Sequence, residues 1–484
     1  MNKEVAQLNP VDIWENFEKM NAVPRGSKKE ERIIAFTKKF GEDLGLPTFV
    51  DKTGNVIIKK PATPGMEDRK GIIIQSHIDM VHQKNADTDF DFDNDGIQSY
   101  IDGDWVKAKG TTLGADNGIG AATMMGILAS KDLVHGPIEA LFTIDEETGM
   151  TGAFGLEGGM LDGHILLNLD TEDEHELCIG CAGGIDTNIN YNYEEVTAEG
   201  AAFKIDLKGL KGGHSGCEIH LGRGNANKLM NRLLWRTNQK FGLEIAEIDG
   251  GSLRNAIPRE SFATVVIAED KVEEFKAYIA EFEATIKQEL HATEPNLVIK
   301  LDAVELPAKV MEVKAQEALL SAVYAAPCGV IRMSDDLEGL VETSTSLSRV
   351  IVKEGNVVVQ FLTRSSVDSA KYDVTYQIEG AFAITEGNVE HGGAYPGWTP
   401  NANSEILEEM KEIHQELFNK PAIVNAVHAG LECGIIGSHY PNLDMISFGP
   451  TIKNPHSPDE MCEINTVRRF WDFIKITLER VAKK

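Results

Sequence analysis

Three consecutive carboxylates, those of Asp145, Glu146 and Glu147, follow the apolar run IEALFTI. The run is typical of a buried strand, and such a strand usually ends in a turn residue rather than in three acids. Like charges this close repel and raise one another's pKa. The acids therefore either face solvent or bind a cation between them, and the second alternative would make this strand end a metal site.

Similar residues follow other apolar segments of the chain. They are His77 at the end of GIIIQSH, Asp116 in GADNG, Asp170 at the end of ILLNLD and His456 soon after LDMISFGP. Each has a simple structural alternative, among them a buried histidine for His77 and a helix N-cap for Asp116. Because open α/β sheets bind ligands outside the carboxyl ends of their strands, several such strand ends together indicate a shared site.

The predicted metal ligands are His77, Asp116, Glu147, Asp170 and His456. They combine imidazole and carboxylate groups without cysteine, a donor set that suits Zn²⁺, with Mn²⁺ or Co²⁺ as alternatives. Five ligands exceed the four of a closed zinc site, so two ions that share one carboxylate would use the set and keep positions open for water. Such a pair, about 3.5 Å apart, activates the water and stabilises the developing oxyanion. Asp79 follows His77 by two residues and can accept the other ring N–H of that histidine.

The elements that would position these residues alternate between strands and helices. NVIIK, GIIIQSH, EALFTID and HILLNLD are predicted strands, and NGIGAATMMGILAS is a predicted buried helix. Ser27-Lys28-Lys29-Glu30 is a capping-box pattern that predicts a helix from there to about Phe40. Strands apolar on both faces suit the centre of a sheet covered by helices. We therefore predict an α/β catalytic domain over residues 1–186 and 398–484, with a central sheet flanked by helices.

A second domain is predicted between residues 187 and 397. Strands such as AAFKIDLKGL alternate polar and apolar residues there, and long charged helices join them. This pattern is typical of an inserted α+β domain whose sheet is solvated on one face. Within it, His214 lies among glycines in KGGHSG without the Lys-Ser/Thr pair of a phosphate loop. The alternatives for His214 are a surface turn and a donor to an oxyanion.

The segment DFDNDGIQSYID, residues 91–102, matches the start of an EF-hand calcium loop but has Asp at the twelfth position. An EF-hand needs a helix on each side, whereas the overlapping IQSYIDGDWVKA alternates like a pair of strands. We therefore expect an acidic surface turn here rather than a calcium site.

Composition narrows the class of protein. Hydrophobic residues make up 42% of the chain and charged residues 25%, which is ordinary for a soluble globular protein. The formal net charge of −29 argues against nucleic-acid and anionic-membrane partners. No segment is long and apolar enough to span a bilayer, the N-terminus has no signal-peptide core, and six cysteines do not make a disulfide framework. We expect a cytoplasmic protein.

The segments SHIDMV, GADNGIG, DEETG, NLDTED, GGHSG and NPHSPDE occur in this order along the sequence. In this set the chain resembles the co-catalytic zinc exopeptidases, which include carnosinases, the tripeptide aminopeptidase and glutamate carboxypeptidase. TLGADNG, HAGLECG and NPHSPDE are typical of the branch formed by the bacterial aminoacyl-histidine dipeptidases. The resemblance covers essentially the whole chain.

The resemblance implies two zinc sites with one shared ligand: His77 and Asp170 for one ion, Glu147 and His456 for the other, and Asp116 for both. It implies that Glu146 is the general base and that Asp79 orients His77. It also implies a cis peptide bond between Asp116 and Asn117. Asp145 has no assigned role.

The resemblance further implies that the inserted domain closes as a lid and supplies contacts to the substrate. His214 would polarise the scissile carbonyl group, and Asn255 and Arg364 would hold the substrate carboxylate. HAGLECG departs from the glycine-serine loop of many relatives, and we hypothesise that its Glu432 binds a free α-amino group.

The function implied is that of a dinuclear zinc dipeptidase that hydrolyses unblocked dipeptides, including Xaa-His, with a metal-bridging water as the nucleophile. Small dipeptides are the expected partners, and a homodimer is left open. Two alternatives are an N-acyl amino acid deacylase of the same fold and a catalytically silent metal-binding protein. The presence of Glu146, which metal binding does not require, disfavours the silent protein.

Overall fold

The computed structural model describes residues 2–483. The α-helices are α1 (Val11–Asn21), α2 (Glu31–Asp43), α3 (Ala115–Ala129), α4 (Thr151–Gly155), α5 (Ala226–Phe241), α6 (Val272–Glu289), α7 (Val313–Ala325), α8 (Asp368–Phe382), α9 (Glu405–Phe418), α10 (Glu432–His439) and α11 (Ile464–Arg480).

The strands of the first half are β1 (Thr48–Val50), β2 (Val56–Lys60), β3 (Ile72–His77), β4 (Ser99–Asp102), β5 (Trp105–Ala108), β6 (Ile138–Thr143), β7 (Ile165–Asn168), β8 (Glu176–Cys181), β9 (Gly183–Asn192), β10 (Glu195–Thr197), β11 (Ala201–Lys208) and β12 (Gly213–His214). The later strands are β13 (Glu244–Gly250), β14 (Ala256–Ile257), β15 (Ser261–Ile267), β16 (Val298–Ala303), β17 (Lys309–Met311), β18 (Gly329–Met333), β19 (Val341–Lys353), β20 (Asn356–Ser365), β21 (Asn388–Tyr395), β22 (Ile423–Val427), β23 (Asp444–Ser447), β24 (Ile452–Lys453) and β25 (Met461–Glu463).

Two compact units make up the described part of the chain. The first extends to Gly180, includes Pro400–Ala426 and resumes at Leu431; the second comprises Cys181–Thr399 and Val427–Gly430. The assignment of the second unit as a lid stays a prediction.

The first unit is built on a mixed sheet with the strand order β1-β2-β6-β3-β7-β23-β8-β22. Strands β3, β6 and β7 are buried along their whole length, as expected for strands covered on both faces. They run parallel, with His77 beside Thr143 and Gln75 beside Asn168. The segments that follow these strands therefore leave the sheet at the same edge.

The second unit is built on a sheet with the order β16-β11-β15-β13-β19-β20-β9-β21, in which every neighbouring pair is antiparallel and β18 joins β19. Strand β11 alternates buried and more exposed residues over most of its length, whereas α5 and α6 contribute apolar residues to the core beside it. The predicted fold class, α/β with an α+β part, is confirmed.

Two local predictions have different outcomes. The helix predicted to begin at Ser27 begins at Glu31 instead, because the Ser27 hydroxyl donates to Asp79 Oδ2 at 2.8 Å and caps no helix. The segment after the acidic turn at residues 91–95 forms the antiparallel pair β4 and β5, as its alternation predicts. No helix within residues 2–483 is both long and apolar enough to cross a membrane.

Candidate metal centre

The structure places His77 at the end of β3, 1% exposed, with a carboxylate at each ring nitrogen. Its Nε2 atom lies 3.2 Å from Asp116 Oδ1 and 3.6 Å from Asp170 Oδ1. Its Nδ1 atom lies 3.3 Å from Asp79 Oδ1. The end of β3 therefore brings together three predicted ligands of one ion with the predicted orienting residue.

A second cluster forms around His456, whose φ of 59° lies in the left-handed region. Its Nε2 atom lies 2.8 Å from Glu147 Oε2 and 3.2 Å from Asp116 Oδ2. Asp116 thus turns one carboxylate oxygen to His77 and the other to His456. This arrangement is the one that a carboxylate shared by two cations requires.

The backbone at Asp116 departs from the helix in which it lies. Asp116 has φ −78° and ψ 109° near the start of α3, and the peptide bond to Asn117 is cis, as the resemblance implies. The Asn117 amide donates to the carbonyl of Leu169 at 2.6 Å. This bond joins the turn to the segment that leads directly into Asp170.

Asp79 does more than approach His77. Its two oxygens accept the backbone N–H groups of Glu146 and Glu147 at 3.2 and 3.3 Å, and one of them also accepts the Ser27 hydroxyl. One buried carboxylate therefore fixes the acidic turn relative to the histidine. Asp79 is fully buried, so water does not compete for these bonds.

Asp145, to which the sequence analysis assigns no role, closes the turn that follows β6. Asp145 has φ 53° and is 3% exposed, and its carboxylate accepts the hydroxyls of Thr148 and Thr151. These bonds close the turn after β6. Asp145 therefore shapes the backbone that carries Glu146 and Glu147.

The cluster is strongly acidic, and its pKa shifts follow from that. Burial raises the pKa of Glu146 well above its ordinary value, and the charges of Asp170 and Glu147 add to this rise. Burial also raises the pKa of Asp170 to about 6. Hydrogen bonds to Asp116 and Glu147 raise the pKa of His456 to about 11. Raised pKa values favour the protonated forms of these groups, whereas a bound divalent cation would favour the ionised carboxylates and the neutral imidazole.

The donor atoms fit divalent cations. Glu147 Oε1 and Asp170 Oδ1 are buried and accept no hydrogen bond from residues 2–483, although an unsatisfied buried carboxylate oxygen is costly. Ligand atoms lie within 4.8 Å of one another in three groups: His77, Asp116 and Asp170; Asp116, Glu147 and His456; His77, Glu146 and Glu147. Imidazole nitrogens and carboxylate oxygens together suit Zn²⁺, Mn²⁺ or Co²⁺.

The second unit carries His214 in a defined tautomer. His214 Nδ1 accepts the backbone N–H groups of Gly216 and Cys217 at 3.2 and 3.0 Å. Burial and the Arg364 charge lower the pKa of His214, so its ring is neutral. A neutral ring that accepts at Nδ1 carries its proton on Nε2. His214 therefore presents one N–H donor.

Arg364 and Asn255 lie in the same unit as His214. Arg364 is 5% exposed, its Nη1 atom donates to the Tyr395 hydroxyl at 3.0 Å, and its Nε atom is buried without an acceptor among residues 2–483. The backbone carbonyl of Asn255 accepts the N–H of Ser215, the residue after His214, at 2.8 Å. Asn255 itself is exposed. The second unit thus brings three of the four predicted substrate contacts into one region.

Comparison with known proteins identifies the family. A cytosol non-specific dipeptidase from Escherichia coli K12 is 45% identical over 483 residues, which cover 99% of this chain and 100% of that protein. The chain belongs to the cytosol non-specific dipeptidase family. Residues 205–294 match the family model of a peptidase dimerisation domain. The predicted resemblance is confirmed, and membership of a metallopeptidase family implies that the chain uses a divalent metal.

Solved structures agree with this family. The aminoacylhistidine dipeptidase from Vibrio alginolyticus is 47% identical with a TM-score of 0.95, over 100% of this chain and 99% of that one. The aminopeptidase PepT from Bacillus cereus is 17% identical with a TM-score of 0.58, over 98% of this chain and 100% of that one, which shows a shared fold alone. A homodimer of this chain stays a prediction.

Glu432 lies in a setting that its sequence did not indicate. It is 1% exposed at the start of α10, and its Oε2 atom accepts hydrogen bonds from Gln75 Nε2 and Thr143 Oγ1 at 2.7 and 2.6 Å. Burial raises its pKa to about 8. A role in binding a substrate amine stays a prediction, and the carboxylate lies against the buried strands rather than on an open surface.

Two buried charged residues of the centre were missed by sequence reasoning. Arg25, 1% exposed, donates to the carbonyls of Ile78, Asp79 and Gly114. Glu460, 2% exposed, accepts from the backbone around Asp116. Nothing in the sequence around Arg25 signals its role, whereas Glu460 falls inside the NPHSPDE segment that supplies His456 and could have been suspected there.

Proposed function

We propose that the chain is a cytosolic dipeptidase with two divalent metal ions that hydrolyses unblocked dipeptides, including those with a C-terminal histidine. The observation that carries the proposal is the position of Asp116, whose two carboxylate oxygens lie 3.2 Å from two different histidine nitrogens. The names of two relatives support the substrate class, since one is a cytosol non-specific dipeptidase and the other an aminoacylhistidine dipeptidase.

Five side chains would hold the two ions: His77 and Asp170 one, Glu147 and His456 the other, and Asp116 both. Their nitrogen and oxygen donors favour Zn²⁺, with Mn²⁺ or Co²⁺ as alternatives. When bound, such a pair of ions lowers the pKa of water and stabilises negative charge on a carbonyl oxygen.

Glu146 is the proposed general base. Its carboxylate accepts no hydrogen bond within residues 2–483, whereas that of its neighbour Glu147 pairs with His456 at 2.8 Å. Burial raises the pKa of Glu146, which makes its carboxylate a stronger base toward water than an exposed one, and the same residue would then return the proton to the leaving amine. Asp79 holds the backbone N–H of Glu146 and so sets where this carboxylate lies.

The second unit is proposed to bind the substrate. His214 Nε2–H is the donor to the scissile carbonyl oxygen, because Nδ1 is occupied by two backbone N–H groups. The guanidinium of Arg364, with a buried Nε that lacks an acceptor, suits a two-pronged contact with the substrate carboxylate. Asn255 is the proposed second contact to that carboxylate.

The test is a matched series of substrates compared by kcat/KM: a Xaa-His dipeptide, its C-terminal amide, its N-acetyl form and the corresponding tripeptide. We expect the free dipeptide to be the best substrate. The amide should lose roughly 1–3 kcal/mol of transition-state stabilisation because it leaves a buried charge unpaired. Equal rates on the dipeptide and its amide would refute the carboxylate contact, and a preference for the N-acetyl form would favour the deacylase alternative.

A matched pair of variants sharpens this test. Arg364→Lys keeps the positive charge but removes the planar guanidinium group that can bind a carboxylate through two N–H donors. It should lower kcat/KM for the free dipeptide and so reduce the ratio of kcat/KM between the dipeptide and its amide. Arg254→Lys serves as the control, because Arg254 is an exposed arginine of the same unit whose guanidinium pairs with Asp186. The control should leave the ratio between dipeptide and amide unchanged.

A further inference from the structure

The carboxylate of Glu460 accepts four consecutive backbone N–H groups from the turn that carries Asp116. Oε2 accepts those of Leu113 and Gly114 at 2.7 and 2.9 Å, and Oε1 accepts those of Ala115 and Asp116 at 2.7 and 3.2 Å. The side chain is 2% exposed. Burial raises the pKa of Glu460 to about 7, whereas the four N–H donors favour its ionised form. Hydrogen bonds to an ionised group are stronger than those between neutral groups, so this carboxylate fixes the path of the turn.

Arg25 holds the same turn at its carbonyl groups. Its Nη2 atom donates to the carbonyl of Gly114 at 2.6 Å, and its Nη1 atom donates to that of Asp79 at 2.9 Å. Gly114 has φ 70°, and a Cβ built there would clash with Arg25 Nη2. The turn is therefore bound by two buried ionic side chains of opposite charge, one at its N–H groups and one at a C=O group.

What this turn positions is the Asp116 carboxylate. Asp116 has non-helical φ and ψ within α3, so regular helix geometry does not set the direction of its side chain. Its oxygens nevertheless lie at the same distance, 3.2 Å, from Nε2 of His77 and of His456. Glu460 follows His456 by four residues, so its four hydrogen bonds also tie the loop of His456 to the turn of Asp116.

We propose that Glu460 is a positioning residue that directs the Asp116 carboxylate toward both metal ions before either ion binds. The proposal rests on the metal-ligand roles proposed above for Asp116 and His456. Each Glu460 oxygen is occupied by two N–H groups, so the residue acts through the turn rather than as a ligand.

The test compares the metal affinity of Glu460→Asp and Glu460→Gln with that of the unchanged protein, by competition with a chromophoric chelator for Zn²⁺ and Co²⁺. Aspartate keeps the charge but is one methylene shorter, whereas glutamine keeps the length and turns an N–H₂ group toward backbone N–H donors. Loss of a residue that orients a metal ligand costs about 10–100-fold in metal affinity. We expect a loss of this size in both variants, with a changed visible spectrum of the Co²⁺-loaded protein.

Asp459→Asn is the control, because it removes the same charge from the neighbouring residue, whose side chain is exposed. It should bind metal like the unchanged protein. Circular dichroism and thermal unfolding of each metal-free variant show whether the fold is kept. Normal affinity and an unchanged Co²⁺ spectrum in Glu460→Asp would overturn the proposal, because charge alone would then explain a defect in Glu460→Gln.

A measurement on the unchanged protein decides the matter even if the variants do not fold. Hydrogen exchange of the amides of residues 113–116 should be slow in the metal-free protein, since Glu460 already binds them. Fast exchange that becomes slow only on metal addition would show that metal orders the turn, and the proposal would be wrong. If the unchanged protein bound no divalent metal at all, the proposed function would fail instead, which the chelator titration shows separately.

Discussion

Replacing Glu146 by glutamine separates proton transfer from metal binding at two adjacent residues. The Glu146 carboxylate is half-buried and accepts no hydrogen bond within residues 2–483, whereas Glu147 contacts His456 at 2.8 Å. Glutamine has nearly the same shape but cannot accept a proton from water. Glu146→Gln should therefore keep the fold and the metal ions and lose the proton transfer.

The size of the effect follows from the step that is removed. A positioned general base contributes about 10²–10⁴-fold to the rate, which corresponds to about 2.7–5.5 kcal/mol in the activation free energy. No compensating loss of a Glu146 hydrogen bond is expected, because the side chain makes none within the described residues. The decrease should appear in kcat, with KM for a Xaa-His dipeptide changed far less.

The assay pairs steady-state kinetics with metal analysis of the same preparations. Glu146→Gln should hold as much metal as the unchanged protein, and Glu147→Gln should hold less. Glu146 also belongs to a possible ligand group with His77 and Glu147. Loss of metal in Glu146→Gln would therefore make it a ligand, and a kcat near that of the unchanged protein would remove it from the chemistry altogether.

Three further outcomes are expected. His214→Ala should lower kcat by about 10²–10³-fold, the cost of one oxyanion donor, and metal analysis should show unchanged content. Gly114→Ala should lower the thermal midpoint and the metal affinity, because a left-handed φ of 70° costs an L-residue about 1–2 kcal/mol and its Cβ would meet Arg25. The His456 proton should stabilise the metal-free protein, because the pKa of His456 rises from about 6.5 in the unfolded chain to about 11 in the folded one. Calorimetry in the presence of a chelator should show this stabilisation in full below a pH of about 6.5 and its loss as the pH rises toward about 11. Saturating Zn²⁺ should abolish that decline.

That His77, the acidic run and Asp170 meet could be predicted from the sequence because parallel strands place their carboxyl ends together; their roles as metal ligands stay a prediction. His77 ends β3, and its neighbour in register is Thr143 of β6, two residues before Asp145. Asp170 follows β7 in the same way, since Gln75 pairs with Asn168. Apolar runs that end in acids or histidine therefore carry enough information to predict which side chains meet.

The supports of the ligands could not be predicted in the same way, because their partners are backbone groups. Arg25 and Glu460 bond carbonyls and N–H groups of a turn, and these groups are the same whatever residues the turn contains. Ser27 is a case in which the sequence predicts a local partner and the structure gives a distant one. Its sequence context predicts a helix cap, but a buried carboxylate 52 positions away in sequence, that of Asp79, takes its hydroxyl.

The acidic run after β6 is tolerated because its three side chains lie in three different environments. Asp145 bonds the hydroxyls of Thr148 and Thr151, Glu147 meets His456, and Glu146 is left with burial and neighbouring charge to set its pKa. A cation next to Glu147 would add positive charge close to Glu146 and lower that pKa. The pKa of Glu146 would therefore depend on the charge of any cation bound beside it. The pKa of a carboxylate held by its own hydrogen bonds would depend on that charge less.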